Sequence, residues 1–254
     1  MSWLSRFFHL LALQFRSSTM FANIGTVLVS FLVTPMLDIA FSVLMGASLS
    51  APDLVRIGYG SCLVGAAIGV CTTMAASVAN DKDQEILQDV LLRRKIDMAY
   101  WLGVSVPGVL MAFVTGIIAS SGIFLIDATQ DLESLLRTLT LLPMALVSGA
   151  LLGIGVSGLG LPLKDSFMPL NTAVPLLPII AGVVVPLRYY PLWAQHIVVL
   201  LPMSSYSAVL TGAASIPAAV VRETLTGGAW AVIGVMSSIL AVRSWKHGKA
   251  PQAM

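Results

Sequence analysis

Residues 81–97 read DKDQEILQDVLLRRKID, and this charged island organises the rest of the chain. Lys and Arg number 14 and Asp and Glu 12 in 254 residues, yet nine of those charges fall in these seventeen positions. Runs of about 25 mostly apolar residues flank the island on both sides. Its own pattern is that of a short amphipathic helix. Ile86, Leu87, Val90 and Leu91 recur at helical spacing on one face, while Asp83, Gln84, Gln88 and Asp89 fall largely elsewhere. Acids (Asp81, Asp83, Glu85) crowd its start and bases (Arg93, Arg94, Lys95) its end, the order a helix macrodipole favours.

Composition sets the class around that island. Hydrophobic residues make up 57% of the chain, charged residues 10%, and the mean hydropathy is +0.91. Soluble domains carry about 25% charged residues, so the composition is that of an integral membrane protein. Cys62 and Cys71 share one expected membrane helix. Nine residues at about 1.5 Å each separate them by roughly 13 Å, too far for a bridge within one molecule. They read as packing residues.

Six apolar spans are expected at roughly 20–46, 55–79, 99–126, 136–161, 170–186 and 225–243. Before them, residues 2–17 place Trp3, Leu4, Phe7, Phe8, Leu11 and Phe15 on one face and Ser5, Arg6, His9 and Arg16 on the other. That predicts a helix lying in the membrane interface. A secretory signal peptide fits less well, because the following apolar run is too long for an h-region. Pro35, Pro107, Pro175 and Pro178 fall inside spans, where they should kink or break a helix. Gly65–Gly69 and Gly149–Gly153 are GxxxG pairs that read as helix packing.

The distribution of bases orients the spans. Arg6, Arg16, Lys82, Arg93, Arg94, Lys95, Lys164, Arg243, Lys246 and Lys249 fall on one side, and Arg56, Arg137, Arg188 and Arg222 on the other. The bias predicts that both termini and the 81–97 loop face the cytosol. On the opposite side the first two loops are short. The third, from Pro186 to about Thr224, is long, and its part 186–215 contains Leu192–Leu201, an apolar segment bounded by Pro191 and Pro202. It is too short to span, and a re-entrant hairpin is expected, with Tyr189, Tyr190 and Trp193 at headgroup depth.

Chemistry is sparse. The chain has no phosphate-binding G-x-x-x-x-G-K-[ST], no H-E-x-x-H and no G-x-S-x-G, and its three histidines lie in different segments. No catalytic set and no metal site are expected. Asp38, in the outer half of the first span, is the exception. It reads either as a contact for a cationic substrate or part of a gate, or as half of a buried pair with Arg56. Arg137 reads as snorkelling to headgroups.

Together these residues resemble the ABC-2 type permeases, the membrane subunits of ATP-driven bacterial exporters. The likeness covers essentially the whole chain. It rests on an interfacial helix before six spans, cytosolic termini and a charged amphipathic helix between the second and third spans. It rests also on a hairpin of the form Gly182, Pro186, Pro191-Leu192-Trp193, Leu201-Pro202-Met203 and Tyr206. The loop DQEILQDVLLRRKIDMAYWLG is similar to the family's acidic start followed by paired leucines, though it lacks the usual Gly-Thr and Pro.

The resemblance implies one transmembrane domain over residues 1–254 and a soluble ATPase partner that binds ATP and Mg. It also implies a second permease copy, as a homodimer or heterodimer, in contact with membrane lipids and no nucleic acid. Residues 81–97 would be the coupling helix, with Asp83, Glu85, Leu87, Asp89 and Leu91 as contacts for the ATPase. Asp38, Tyr189, Tyr190 and Trp193 are the candidates for the substrate path or gate. The absence of an extracellular domain and the apolar spans point to an amphipathic or lipophilic cargo: a drug, an antibiotic, a peptide or a lipid-linked molecule. The alternatives are a six-span channel or secondary carrier without an ATPase, and a membrane-embedded hydrolase, for which no nucleophile–base set is visible.

Overall fold

Short polar side chains set where the long helices begin. The side-chain oxygens of Asn23, Asp53, Asp97 and Asp131 accept backbone N–H groups of Thr26 (2.8 Å), Arg56 (2.9 Å), Ala99 (3.1 Å) and Glu133 (3.0 Å). Each satisfies a donor that the first helical turn leaves free. In a computed structural model that describes residues 3–17, 23–93, 97–185 and 187–246, the chain is all-helical, with no strand among the described residues.

The order is α1 (Trp3–Ser17), α2 (Ile24–Leu28), a π-helical turn (Val29–Val33) and α3 (Thr34–Ser48), then α4 (Leu54–Asp83), α5 (Ile86–Arg93), α6 (Met98–Ile126) and α7 (Leu132–Gly160). They are followed by α8 (Met168–Ile180), a 3-10 turn (Leu187–Tyr189), α9 (Leu192–Val199), α10 (Ser205–Leu210) and α11 (Ile216–Lys246).

Among the described residues, five helical runs are long and apolar enough to cross a membrane: Ile24–Ser48, Leu54–Asp83, Met98–Ile126, Leu132–Gly160 and Ile216–Trp245. The span expected at 170–186 is different. Its helix, α8, has 13 residues and rises about 20 Å, short of a hydrocarbon core of about 30 Å. The prolines inside α6, α7 and α8 do not break those helices. α6 continues through Pro107, α7 through Pro143 and α8 through Pro175 and Pro178. Only Pro35 coincides with a change, at the junction of the π turn and α3.

The core is built on α4 and α7, flanked by α6, α8, α10 and α11. Its closest approaches are between backbones. A Cβ on Gly149 would collide with the Ala67 backbone of α4, and one on Gly158 would collide with the backbone of Gly234 in α11. The Gly149–Gly153 pair is therefore a packing seam against α4. Gly65 has open space where a side chain would be, so the first GxxxG pair is not a tight seam. Cys62 and Cys71 are buried and free.

Two ends of the bundle follow from the contacts. At one, the C-terminal turns of α4 and α11 meet α5, and Lys82 reaches the α7–α8 turn. At the other, Gly60 near the start of α4 approaches Val183 and Leu210 beyond α8. The short α8 and its flanking turns thus carry the chain from the α5 end to the hairpin end. Arg6, Lys82 and Lys164 lie at the α5 end, and Arg56, Arg137 and Arg222 towards the hairpin end.

Candidate functional site

The α4–α5 corner is tight for a chemical reason. Gln84 N–H donates to Asn80 O and Glu85 N–H to Lys82 O, both at 3.0 Å, closing the last turn of α4. Glu85 takes a φ of +61°, the left-handed conformation that usually belongs to glycine at a helix C-terminus. The chain then reverses into α5, whose apolar face turns inward. Leu87 and Leu91 are both fully buried, in a cluster with Met74, Val78, Tyr100, Trp101, Leu161, Ala241, Val242 and Trp245.

The neighbouring polar groups fasten this corner to three other segments. Asp97, buried at the start of α6, forms an ion pair with Arg6 of α1. Asp81 accepts from Gln14 Nε2 of α1 at 3.1 Å and from Tyr100 OH of α6 at 2.8 Å. Lys82 Nζ donates to Leu163 O at 2.6 Å and Ser166 Oγ at 2.9 Å. Helix α1 also packs directly on α6, with Leu10 against Gly103. Its polar residues Arg6 and Gln14 therefore hold the bundle, while Leu4, Phe8 and Leu13 stay exposed.

The five residues expected to meet an ATPase divide in two. Asp83 and Glu85 are exposed, together with Gln84 and Ile86. Leu87 and Leu91 are core residues in this conformation, so any direct contact passes to the 83–86 rim and the leucines act by fixing α5 to the bundle. Asp89 stands on α5, but its side chain lies outside the described residues, as do residues 94–96.

At the other end, the segment where a re-entrant hairpin was expected holds two short helices in succession, α9 and α10, of which α10 packs on α4, α7 and α11. Tyr189 and Trp193 are exposed; Tyr190 is half-buried and its OH donates to Ile179 O at 2.6 Å. The turn joining α9 and α10 is buried at Met203, Ser204 and Ser205. Glu223 of α11, which sequence reasoning left in a loop, holds this turn. It is 1% exposed and accepts N–H bonds from Met203 at 2.6 Å and Ser205 at 3.0 Å, with Ser148 Oγ at 3.3 Å. A signal existed. Ala219, Glu223, Gly227, Gly234, Ser238, Ala241, Val242 and Trp245 form a buried stripe of mostly small or apolar residues at helical spacing, and Glu223 is its one charge.

Asp38 stands exposed on α3. It makes no ion pair with Arg56; the described ion pairs are Arg6–Asp97 and Arg137–Glu133. One face of the α2–α3 run is uncovered, with Ile24, Leu28, Leu37, Phe41 and Leu44 more than half exposed and Gly46 its one buried residue, while the other side rests on α4 and α6. Grooves open on the surface among the described residues. One of about 450 Å³ is apolar and lies between α6 and α7, touching Trp101, Pro143 and Leu151. Another, of about 590 Å³, lies at the hairpin end and sets Arg222 among Val199, Pro217, Val221 and Leu225. Among the described residues no three His, Cys, Asp or Glu side chains are grouped to hold a metal.

Comparison with models of protein families, with curated proteins and with solved structures finds no match for this chain.

Proposed function

We propose that this chain is the membrane subunit of an ATP-driven exporter of the ABC-2 type. In this reading a separate soluble ATPase, which binds ATP and Mg, docks on the rim Asp83, Gln84, Glu85 and Ile86. The observation that carries the reading is the anchorage of α5. An eight-residue helix at the end of two long ones is ordinarily a loose connector, yet here Leu87 and Leu91 are fully buried. Its surroundings are tied by charge and hydrogen bonds to α1, α6 and the α7–α8 turn. A soluble motor can move helices only through a stiff contact, and this corner supplies one while presenting carboxylates outward.

The rest of the reading follows from that corner. Both termini and α5 face the cytosol across the plasma membrane, as the bias in bases requires. The short α8 with the hairpin makes a sixth crossing. The naked apolar face of α2–α3 takes a second copy of the permease, which would bring Asp38 to the junction of the two subunits. Grooves that are apolar, or apolar around one guanidinium, suit an amphipathic or lipophilic cargo.

The test is affinity purification of the tagged chain in mild detergent. A stoichiometric ATP-hydrolysing partner with a Walker A sequence, lost on Glu85→Lys without loss of folding, is the expected result. A chain that purifies alone in every detergent tried would favour a channel or secondary carrier.

A further inference from the structure

Glu223 and helix α11 join the two ends of the molecule. Three side chains of α11 hold the hairpin turn. Glu223 accepts from Met203 and Ser205 N–H, Arg222 Nη2 donates to Ser204 Oγ at 2.8 Å, and Trp230 Nε1 donates to Leu200 O at 3.1 Å. Met203 sits at φ +78°, a left-handed conformation that a methionine does not keep without support from its surroundings. Glu223 bonds to that residue's own N–H. At its far end the same helix places Ala241, Val242 and Trp245 in the cluster that buries Leu87 and Leu91 of α5. Glu223 and Val242 are 19 residues apart, about 28 Å along an unbroken helix.

We infer that Glu223 is the positioning residue of the hairpin, latching it to α11, and that α11 carries a displacement of α5 to this latch. The inference rests on α5 being the docking element proposed above. The seam between α11 and its neighbour permits such a movement. Where α7 and α11 cross, Gly158 meets Gly234 backbone to backbone, and Gly155 lies against the Trp230 backbone. At that crossing no side chain stands between the two backbones, and what opposes a movement of α11 along α7 is Leu151 against Gly227 and the Ser148–Glu223 hydrogen bond. Pro217 lies only in its first turn and the helix is continuous from Ile216 to Lys246, through Gly227 and Gly228, so no proline breaks it between its two ends. A push on Leu91 then reaches the hairpin by way of one continuous element.

The test is amide hydrogen exchange on the full chain in lipid nanodiscs, reading the Met203 and Ser205 amides. Glu223→Ala is expected to speed their exchange at least tenfold, and Glu223→Gln, which keeps one oxygen acceptor, severalfold. Trp245→Ala, at the far end, is expected to speed the same two amides. Leu142→Ala, an equally buried change on the α6–α7 contact, is expected to leave them unchanged. Unaltered exchange in Glu223→Gln would overturn the latch, and this variant decides the point if Glu223→Ala does not fold. Equal effects of Trp245→Ala and Leu142→Ala would overturn transmission through α11. No ATPase enters the measurement, so a chain that binds none could still show the latch, and failure of the latch leaves the docking proposal standing.

Discussion

The two ends of α11 are held by opposite kinds of chemistry. At the α5 end, Trp245 and Val242 meet Leu87, Leu91 and Met74 through apolar surface. At the hairpin end, Glu223 and Arg222 make directed hydrogen bonds to the backbone and to Ser204. Apolar contact tolerates sliding because it has no preferred direction. A hydrogen bond to a strained turn is made or broken over a fraction of an ångström. The difference suits an input that moves gradually and an output that switches.

Replacing Leu91 with Asp should break the comparison at its apolar end and have the largest effect. It buries an unpaired charge, a mechanism that costs more than about 4 kcal/mol, and α5 should detach. Heat denaturation in detergent and proteolysis at 84–97 would read it. Glu223→Ala comes next, orphaning two buried N–H groups at about 1–3 kcal/mol each, with the loss confined to the hairpin. The midpoint of heat denaturation should fall and the hairpin become the first site of cleavage.

A smaller and opposite effect is expected at the corner. Glu85→Gly removes the left-handed strain of a side chain at φ +61° and should raise stability by about 1 kcal/mol. If it also weakens ATPase binding, docking and folding are separated at one residue.

The smallest effect lies in the α6–α7 loop, away from both ends. Thr129 donates its N–H (3.0 Å) and Oγ1–H (2.8 Å) to Asp127, and these bonds hold the carboxyl below its ordinary range. Its native pKa is lowered, so its contribution is complete above about pH 4, the unfolded value, and fades as pH falls through the native one. Asp127→Asn should flatten that acid limb in heat denaturation followed against pH.

Much of this was legible in the sequence. The alternation of about 25 apolar residues with short charged loops located the long helices, because the hydrocarbon core dictates their length. The amphipathic pattern of 86–91 gave α5. What it could not show was which side the leucines faced. A short amphipathic helix reads the same whether its apolar face meets a partner or its own bundle, and Leu87 and Leu91 meet the bundle. Glu223 was missed because a hydropathy window ends a span at its first charges, whereas α11 begins nine residues earlier, at Ile216, than the 225 expected. The Asp38–Arg56 pair failed for another reason. α3 leans on α4 near Gly46 and Ile57 and leaves its Asp38 face outward.

The claim that the α4–α5 corner receives an ATPase is tested most directly by site-specific photocrosslinking in intact cells. A photoreactive residue placed at Glu85 is expected to capture an ATP-hydrolysing protein with a Walker A sequence, and the same residue at Leu87 only other parts of this chain. Capture of that ATPase from position 87, or from neither position while the chain stays folded, would contradict the account.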